Sequence, residues 1–404
     1  MKKTVKDVHS SEKRVLVRAD FNVPLDKGAI SDDTRIQASL PTIECLLDQR
    51  ARVILCSHLG RPKGKVKESL RLNPVAERLS QLLQVDVRKI DECIGPEART
   101  AAEELEPGQA LLLENTRFHP EEKQNDPDFA GQLAELTDIF VNDAFAAAHR
   151  AHASTEGIAH HLPSVAGCLM HREIKTLQQV LDSPGKAFVA ILGGAKISDK
   201  IGVVERLLEM ADYLLVGGGM ANTMLKARDW DVGQSLVEHE ALDETRRLLE
   251  SAGERLVLPE SVVVAETFDA DAQARTVGIE DIPSGWRIMD VGSGTIQSFQ
   301  AKLESAQTVV WNGPLGVTEM PRFAQGTLAL ARYIADLDAT TILGGGDSVA
   351  AIKQAGVADR MNHVSTGGGA FLEFLKGEEL PAIAVLEDHE QQAVSSAGKT
   401  EAEA

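Results

Sequence analysis

The stretch Val189-Ala190-Ile191-Leu192-Gly193-Gly194-Ala195-Lys196 joins a short apolar run directly to paired glycines. The apolar run predicts a buried strand, and the glycines predict a loop without side chains where the strand ends. The same arrangement recurs further along the chain, and we expect these strands to end at one edge of a sheet. The repeats are Leu214-Leu215-Val216 before Gly217-Gly218-Gly219, Val309-Val310-Trp311 before Asn312-Gly313-Pro314, Thr341-Ile342-Leu343 before Gly344-Gly345-Gly346-Asp347, and His363-Val364-Ser365-Thr366 before Gly367-Gly368-Gly369.

Loops rich in glycine let backbone N–H groups approach a ligand closely, and the N-terminus of a following helix favours phosphate. The sequence therefore predicts a polyphosphate site at this edge, while any single tract is equally consistent with a tight turn. Neither common nucleotide motif is present, because no Gly-x-x-x-x-Gly-Lys-Ser/Thr stretch occurs and the Gly-x-Gly pairs lack a third glycine. The third positions are Asn222 after Gly217-x-Gly219 and Val349 after Gly344-x-Gly346.

Composition places the chain among soluble globular enzymes. Its 404 residues suit two domains, and 43% apolar and 25% charged residues are ordinary values. A net charge of −19 argues against nucleic acid or an anionic membrane as a partner. Cys45, Cys56, Cys93 and Cys168 show neither disulfide nor zinc spacing, and no signal peptide or membrane span is evident. We expect a cytoplasmic protein.

Strands alternate with helices along the whole chain. Arg14–Arg18, Arg52–Ser57, Ala110–Leu113 and Asp138–Val141 read as buried strands. Helical patterns cover 34–49 and 73–83 in the first half and 198–210 in the second. This alternation predicts an α/β fold of two lobes, each a mainly parallel doubly wound sheet flanked by helices. A further helical pattern at 167–181 predicts an interdomain helix that joins the lobes.

In the first half, basic side chains take the place of glycines after the predicted strands. If those strands are parallel neighbours, five of these side chains converge on one crevice, where arginine forks suit phosphate or carboxylate. Taken singly, each is more typical of a surface ion pair. The set is Arg18, His58, Arg61, Arg117 and Arg150. His149 and His152 lack a third metal ligand, so we do not assign them a metal.

Two facing anion sites suggest phosphoryl transfer, which depends mainly on positioning and charge neutralisation. Lys196 and Lys200 follow the first glycine pair and are predicted to neutralise the transferred group. Asp347 follows a glycine triplet and is the predicted Mg²⁺ ligand, because Mg²⁺ on a nucleotide takes one or two carboxylates. The alternative is that Asp347, with Ser348, only caps a helix.

At these residues the chain resembles the phosphoglycerate kinase family, from about Val8 to Leu386. The motifs in the first half are Arg18–Pro24, Asp33–Ile36, His58–Pro62, Glu114–Phe118 and His149–His152. Those in the second half are Gly193–Lys200, Gly217–Asn222, Trp311–Gly316, Gly344–Ser348 and Ser365–Ala370.

The resemblance implies reversible, Mg²⁺-dependent phosphoryl transfer between 1,3-bisphosphoglycerate with ADP and 3-phosphoglycerate with ATP, in glycolysis and gluconeogenesis. Transfer would be direct after hinge closure. The implied substrate-binding residues are Asp20, Phe21, Asn22, Arg35, His58, Leu59, Gly60, Arg61, Arg117 and Arg150. The implied nucleotide-binding residues are Lys196, Lys200, Gly218, Asn312, Pro314, Glu319, Gly345, Gly346, Asp347 and Ser348. Arg35, Lys196 and Lys200 would be catalytic, and Asp347 would hold the metal.

The resemblance also implies domain bounds. Residues 1–168 would bind 3-phosphoglycerate and 169–376 the nucleotide, with about 377–390 packing back on the first domain and 391–404 forming a disordered tail. A monomer is expected, with small-molecule substrates as its partners and neither nucleic acid nor membrane.

Three positions depart from the family pattern. Ala146-Ala147 and Thr318 are expected to change local packing, and Gly292-Ser293-Gly294-Thr295 to alter a loop near the nucleotide. Two alternative functions stay open: a kinase on the same scaffold with another acidic acceptor, and a nucleotide-binding regulatory protein without catalysis.

Overall fold

The computed structural model describes residues 1–183, 185 and 187–389, so the predicted tail 391–404 lies outside the described residues. Contacts divide the chain into two compact units. Unit 1 comprises Met1–Asp143, Ala151–His171 and, among the described residues, 382–389. Unit 2 comprises Ala144–Arg150 and Arg172–Pro381. In the described part of the chain, no helix combines the length and apolar character that a membrane span requires.

Unit 1 is built on a six-stranded sheet in the order β5-β6-β4-β1-β7-β8, with every neighbouring pair parallel. Its strands are β1 Arg14–Arg18, β4 Arg52–Cys56, β5 Val87–Lys89, β6 Ala110–Leu112, β7 Ile139–Asn142 and β8 Ser164–Ala166, and a short hairpin pairs β2 Leu25–Asp26 with β3 Ala29–Ile30. The four strands predicted in this half are confirmed to within two residues at each end.

The strands of unit 1 are continuous apolar runs because helices cover both faces of a parallel sheet. Val15, Val17 and Val53 are fully buried in one core cluster with residues of the flanking helices, among them Ile36 and Leu79. The helices are α1 Thr34–Asp48, α2 Asn73–Leu83, α3 Gly95–Glu103, α4 Glu121–Gln124 and α5 Pro127–Ala134.

Residues 1–3 pair with residues 387–389 in unit 1. The backbone N–H of Lys3 donates to the Glu387 carbonyl at 2.8 Å, and that of His389 donates to Met1 at 3.0 Å. The Lys2 and Lys3 ammonium groups pair with Asp388 at 3.2 Å and Glu387 at 2.9 Å. The last described residues therefore pair with the first residues of the chain.

Unit 2 has its own six-stranded parallel sheet in the order β11-β10-β9-β15-β16-β17. All five runs that end in glycine lie in it, so their carboxyl ends share one edge, as the sequence predicts. The strands are β9 Phe188–Leu192, β10 Tyr213–Val216, β11 Leu256–Val257, β15 Thr308–Asn312, β16 Thr340–Gly344 and β17 His363–Val364.

Unit 2 also contains a feature that the sequence analysis did not identify. Three strands form a separate antiparallel sheet in the order β13-β12-β14, with a bulge between Val263 and Val264. Its strands are β12 Ser261–Ala265, β13 Ala274–Gly278 and β14 Arg287–Val291. The helices of unit 2 are α7 Ile201–Met210, α8 Gly218–Ala227, α9 Leu242–Ala252, α10 Ser293–Leu303, α11 Gln325–Ala335, α12 Gly346–Ala355 and α13 Gly369–Leu375.

Two of the four boundaries between the units lie in helices. Helix α6, Cys168–Asp182, contains the boundary between His171 and Arg172, and helix α14, Pro381–Ala384, contains the one between Pro381 and Ala382. The predicted interdomain helix at 167–181 thus matches α6 to within one residue.

Candidate functional site

The segments that follow β1, β4 and β6 are tied together at the carboxyl edge of the sheet in unit 1. The backbone N–H of Gly60 donates to Asn22 Oδ1 at 2.8 Å, and Arg117 Nη1 donates to the Gly60 carbonyl at 3.1 Å. Asn115 Nδ2 donates to the Leu59 carbonyl at 2.8 Å. The structure therefore brings together three of the predicted substrate-binding segments.

Arg35 reaches this edge from the first turn of α1. Its Nη1 donates to Asp20 Oδ2 at 2.7 Å and to the Asn22 carbonyl at 3.3 Å. The Asp20 side chain is 6% exposed and that of Arg35 is 37% exposed. The carboxylate thus anchors the guanidinium, while other N–H groups of Arg35 remain accessible to a ligand.

Three predicted residues lie deeper than the sequence suggests. Arg18 is fully buried, with Nε donating to Ser154 Oγ at 2.8 Å and Nη1 to the Ala19 carbonyl at 2.6 Å. The expectation that its guanidinium faces the crevice is therefore wrong. Phe21 and Leu59 are 0% and 2% exposed, and their side chains belong to the core cluster of unit 1.

The remaining residues of this set differ in exposure. His58 is 5% and Arg117 9% exposed, whereas Arg61 is an exposed residue. Burial is the main cause that holds the pKa of His58 well below its usual value, and the charge of Arg18 adds to it. Arg150 is exposed and belongs to unit 2 by its contacts. A cavity of about 360 Å³ beside Asn22 and Gly60 is closed by residues that the sequence analysis did not name, including Ser69 and Leu70.

In unit 2, a cavity of about 400 Å³ lies at the carboxyl edge of the sheet. Four of the five glycine tracts contribute to it, together with two lysines and Asp347. It is lined by Gly194, Ala195, Lys196, Asp199, Lys200, Asn312, Gly313, Pro314, Gly345, Gly346, Asp347, Ser348, Gly368, Gly369 and Leu372. We call it the polar cavity.

Packing explains why these loops require glycine. Gly313 has a φ of +89°, and a Cβ placed on it would lie 2.2 Å from the carbonyl oxygen of Gly193. Gly345 has a φ of +96°, and its Cβ would lie 2.7 Å from Asn312 Nδ2. Neighbouring segments therefore pack directly against the backbone of these residues, and only glycine permits both the conformation and the approach.

Lys200 fixes two of the strand ends to each other. Its Nζ donates to the Gly193 carbonyl at 2.6 Å and to Asn312 Oδ1 at 2.7 Å. Burial lowers the pKa of Lys200 to about 8, an effect that Asp347 and Asp199 partly oppose. An ammonium group in a desolvated position next to glycine loops is well placed to bind a phosphate oxygen.

Asp347 lies inside the first turn of α12, whose N-cap is Gly345. The alternative in which Asp347 is the cap is therefore excluded. Ser348 Oγ accepts the backbone N–H of Gly313 at 2.6 Å, which binds the start of α12 to the loop after β15. The exposed carboxylate of Asp347 faces both the polar cavity and a second, larger cavity.

The second cavity measures about 690 Å³ and has an apolar wall. Of the predicted nucleotide-binding residues, Gly218, Pro314, Glu319 and Asp347 line it. Sequence reasoning missed the apolar lining, which includes Leu236, Val237, Phe268, Met289 and Val317. Leu236 and Phe268 are 55% and 58% exposed. We call it the apolar cavity.

Glu238 is a second residue that the sequence analysis missed. Its Oε2 accepts the backbone N–H groups of Ile197 at 2.6 Å and Ser198 at 3.0 Å, and its Oε1 accepts the Ser198 hydroxyl at 2.7 Å. The turn that carries Lys196 is thereby fixed from a distant segment of the chain. The N–H groups of Ile197 and Ser198 thus have hydrogen-bond acceptors although neither residue is in a helix. Helix α7 begins at Ile201, not at the predicted Ser198.

The three departures from the family pattern lie in different environments. Gly292 is the N-cap of α10, and Thr295 Oγ1 accepts the N–H of Ser261 at 2.9 Å. Residues 292–295 line neither the polar nor the apolar cavity, which corrects the expectation of an altered loop there. Ala146-Ala147 form a single 3₁₀ turn with Phe145, and Thr318 follows Val317 of the apolar cavity.

Comparison with known proteins gives a consistent result. Residues 5–378 match the family description "Phosphoglycerate kinase". The phosphoglycerate kinase of Moorella thermoacetica is 56% identical over 388 residues, covering 95% of this chain and 99% of the relative. That of Desulforudis audaxviator is 57% identical over 391 residues, covering 96% of this chain and 100% of the relative.

Two solved structures support the fold. The phosphoglycerate kinase from Coxiella burnetii superposes with a TM-score of 0.86 at 44% identity, covering 95% of this chain and 98% of the other. The enzyme from Pyrococcus horikoshii gives 0.84 at 33% identity, covering 96% and 98%.

Proposed function

Because the chain belongs to the phosphoglycerate kinase family, we propose that unit 1 binds the three-carbon acid and unit 2 binds the nucleotide. Its activity is that of a phosphoglycerate kinase, a phosphotransferase with a carboxyl group as acceptor, in glycolysis. The predicted domains 1–168 and 169–376 approximate the two units, except that the contacts assign 144–150 and 377–381 to unit 2.

In unit 1, the main proposed ligands for 3-phosphoglycerate are basic side chains at the carboxyl edge of the sheet. Arg35 is the central one, since Asp20 anchors one side of its guanidinium and leaves the other side accessible. The exposed Arg61 and the nearly buried Arg117 add charge at the same edge. The further proposed contacts come from Asn22, His58, Gly60 and Arg150, with Phe21 and Leu59 contributing no more than backbone.

In unit 2, the polar cavity is the proposed site of the nucleotide phosphates and the apolar cavity that of the base and ribose. The single observation that carries this assignment is the meeting of four glycine tracts, Lys200 and the first turn of α12 in one cavity. Backbone N–H groups at a helix N-terminus and an ammonium group together suit a chain of phosphates. Gly218, Pro314 and Glu319 then contact the nucleoside.

Mg²⁺ is proposed to bind at Asp347. Its carboxylate is exposed and lines the polar cavity, and one carboxylate together with substrate phosphates is the usual protein share of a nucleotide-bound Mg²⁺. When bound, the ion would neutralise charge on the phosphate oxygens. Asp347→Ala should raise the Mg²⁺ concentration needed for nucleotide binding, measured by calorimetry, and an unchanged requirement would remove Asp347 from the metal.

The residues of this chain then act by positioning and charge. In the ATP-consuming direction the acceptor is an ionised carboxylate, so no general base is needed. Arg35, Lys196 and Lys200 are proposed to stabilise the moving phosphoryl group, which is spread over several oxygens. Because donor and acceptor bind to different units, transfer is proposed to follow hinge closure. The protein is proposed to act in the cytoplasm as a monomer.

The test is a coupled assay of the purified full chain with ATP, Mg²⁺ and 3-phosphoglycerate, in which added glyceraldehyde-3-phosphate dehydrogenase oxidises NADH. We expect a rate that depends on all three reactants and falls by about a thousandfold in Lys200→Ala, as loss of a charge contact in the transition state predicts. A folded protein that binds nucleotide and gives no rate would overturn the acceptor assignment. Product analysis with other carboxylic acids would then identify the acceptor.

A further inference from the structure

His58 makes one hydrogen bond that fixes the position of its proton. Arg18 Nη2 lies 3.0 Å from His58 Nδ1. A guanidinium group carries only donors and is not deprotonated in proteins, so Nδ1 must accept this hydrogen bond through its lone pair. The proton of the neutral ring is then on Nε2.

Arg18 is held in turn by buried partners. Its Nε donates to Ser154 Oγ at 2.8 Å, and Ser154 Oγ donates to Glu122 Oε1 at 2.6 Å. The backbone N–H of Ser154 donates to Glu122 Oε2 at 2.9 Å, and Glu122 Oε1 lies 4.0 Å from Arg18 Nη2. Arg18, Ser154 and Glu122 are all fully buried, so the carboxylate balances a guanidinium charge that has no access to water.

We propose that Glu122, acting through Ser154 and Arg18, holds His58 as the neutral Nε2–H tautomer, so that His58 gives the anionic substrate a hydrogen-bond donor without a positive charge. Glu122 and Ser154 are thus positioning residues for substrate binding. The part of this proposal that concerns the substrate rests on the proposed function of unit 1, and the part that concerns the tautomer does not.

The surroundings of His58 oppose a second proton on its ring. A proton on Nδ1 would point at the N–H of Arg18, so that two donors would face each other. Burial is the largest cause of a strongly lowered pKa, and the charges of Arg18, Arg117, His152 and Arg35 follow in that order. The cations that face His58 thus favour the same neutral form as the hydrogen bond.

This arrangement divides the work at the site between two kinds of donor. Arg35 and Arg61 attract the substrate by their charge. His58 instead orients it, because a neutral N–H forms a good hydrogen bond only when the oxygen lies near the N–H axis. The affinity for the substrate should therefore not follow a histidine titration between pH 6 and 8. It should follow the second ionisation of the substrate phosphate, whose pKa is about 6.

The first test uses nitrogen NMR on the full chain labelled with ¹⁵N-histidine, with His58→Gln to assign the signals. We expect the His58 ring to show one protonated nitrogen, Nε2, and one bare nitrogen, Nδ1, with no change from pH 6 to pH 8. A proton on Nδ1, or a titration within that range, would overturn the proposal. The measurement needs no substrate, so it is independent of the enzymatic assignment.

The second test compares Ser154→Ala with Ser164→Ala, another buried serine of unit 1 whose Oγ donates to the Leu162 carbonyl at 2.8 Å. Ser154→Ala should raise KM for 3-phosphoglycerate by roughly five- to tenfold, the effect of one misplaced hydrogen bond. The KM for ATP should not change, and the NMR spectrum should show both His58 tautomers. Equal KM values in the two variants, or an unchanged tautomer, would refute the role of Ser154. If the His58 tautomer is as proposed but 3-phosphoglycerate is not a substrate, only the enzymatic assignment fails.

Discussion

The candidate sites of the two units lie at the same position in the fold but consist of different groups, charged side chains in unit 1 and glycine backbone in unit 2. Both sites lie at the carboxyl edge of a six-stranded parallel sheet. Unit 1 fills that edge with charged side chains such as Arg35 and Arg117, and unit 2 fills it with glycines such as Gly313 and Gly345. A compact anion is bound from several sides by side-chain forks, whereas a chain of phosphates is bound along its length by backbone N–H groups.

The difference predicts how each site responds to mutation. In unit 1 a partly exposed cation such as Arg35 contributes little to backbone packing, so its removal should affect catalysis much more than stability. In unit 2 the backbone itself is the site, and a side chain at a packed glycine should disturb folding and binding together. Four substitutions or titrations test this contrast, in order of decreasing effect.

Gly313→Ala should have the largest effect. Its Cβ would lie 2.2 Å from the Gly193 carbonyl oxygen in a backbone with φ of +89°, so we expect a loss of more than about 3 kcal/mol in the free energy of unfolding. Gly346→Ala is the matched control, because its Cβ would meet no atom within 4 Å. That variant should unfold at the wild-type denaturant concentration while its nucleotide affinity falls, since Gly346 lines the polar cavity. Equal unfolding midpoints for the two variants would show that the packed glycines of unit 2 are not needed for stability, contrary to the difference proposed between the units.

Arg35→Ala should lower kcat by about a hundredfold, because its charge is felt mainly in the transition state. The nearly buried Asp20 loses its partner, so we also expect a loss of stability, smaller than that of Gly313→Ala. Arg78→Ala provides the control, since Arg78 has the same 37% side-chain exposure and a similar 2.7 Å ion pair, with Asp33. Steady-state kinetics and urea unfolding on both variants decide the matter. A change confined to KM in Arg35→Ala would place Arg35 in ground-state binding only.

Glu238→Ala should lower kcat by roughly tenfold, since three hydrogen bonds that fix the turn carrying Lys196 are lost. The exposed Glu240 gives the control Glu240→Ala, for which wild-type kinetics are expected. An equal, small loss in both variants would mean that the turn keeps its conformation without Glu238. The result would show how much the site in unit 2 depends on a side chain in addition to its glycine backbone.

The smallest expected effect is a pH dependence of stability and of nucleotide binding that arises from the pKa of Lys200. Burial lowers it to about 8, below the value of 10.5 for an exposed lysine, so the unfolded state binds more protons between these values. Stability should therefore rise with pH across that window as far as this group contributes. A bound polyphosphate raises the pKa again, so nucleotide binding at pH 8.5 should be accompanied by uptake of part of a proton. Calorimetry in two buffers of different ionisation enthalpy measures this uptake, and Lys200→Met should abolish it.

Most strands and helices of the two units were predictable, because periodic or continuous apolar runs in a sequence indicate which segments are buried. Strand β1 and helix α2 have the predicted bounds, and the glycine tracts meet at one edge because parallel strands end together. The sequence did not predict where each side chain points after a strand ends. Arg18 and Arg35 have the same residue type, but Arg18 is fully buried whereas the Arg35 side chain is 37% exposed.

The remaining differences come from contacts between residues distant in sequence. Helix α7 begins later than its apolar spacing predicts, while Glu238 binds the N–H groups of Ile197 and Ser198 forty-one and forty residues away. The antiparallel sheet of β12, β13 and β14 was missed, since β13 has no buried residue and no continuous apolar run. The apolar cavity was missed because its lining is drawn from several separate segments.

The pairing of residues 1–3 with residues 387–389 has a consequence for synthesis of the protein on the ribosome. The carbonyl of Ala382 accepts a hydrogen bond from Asn142 Nδ2 at 3.3 Å, and the N–H of Glu387 donates to the Ser164 carbonyl at 2.9 Å. Unit 1 therefore combines residues that precede unit 2 in the sequence with residues that follow it. Although translation generally lets N-terminal domains fold first, this unit cannot complete its native contacts until the residues after Ala382 have emerged.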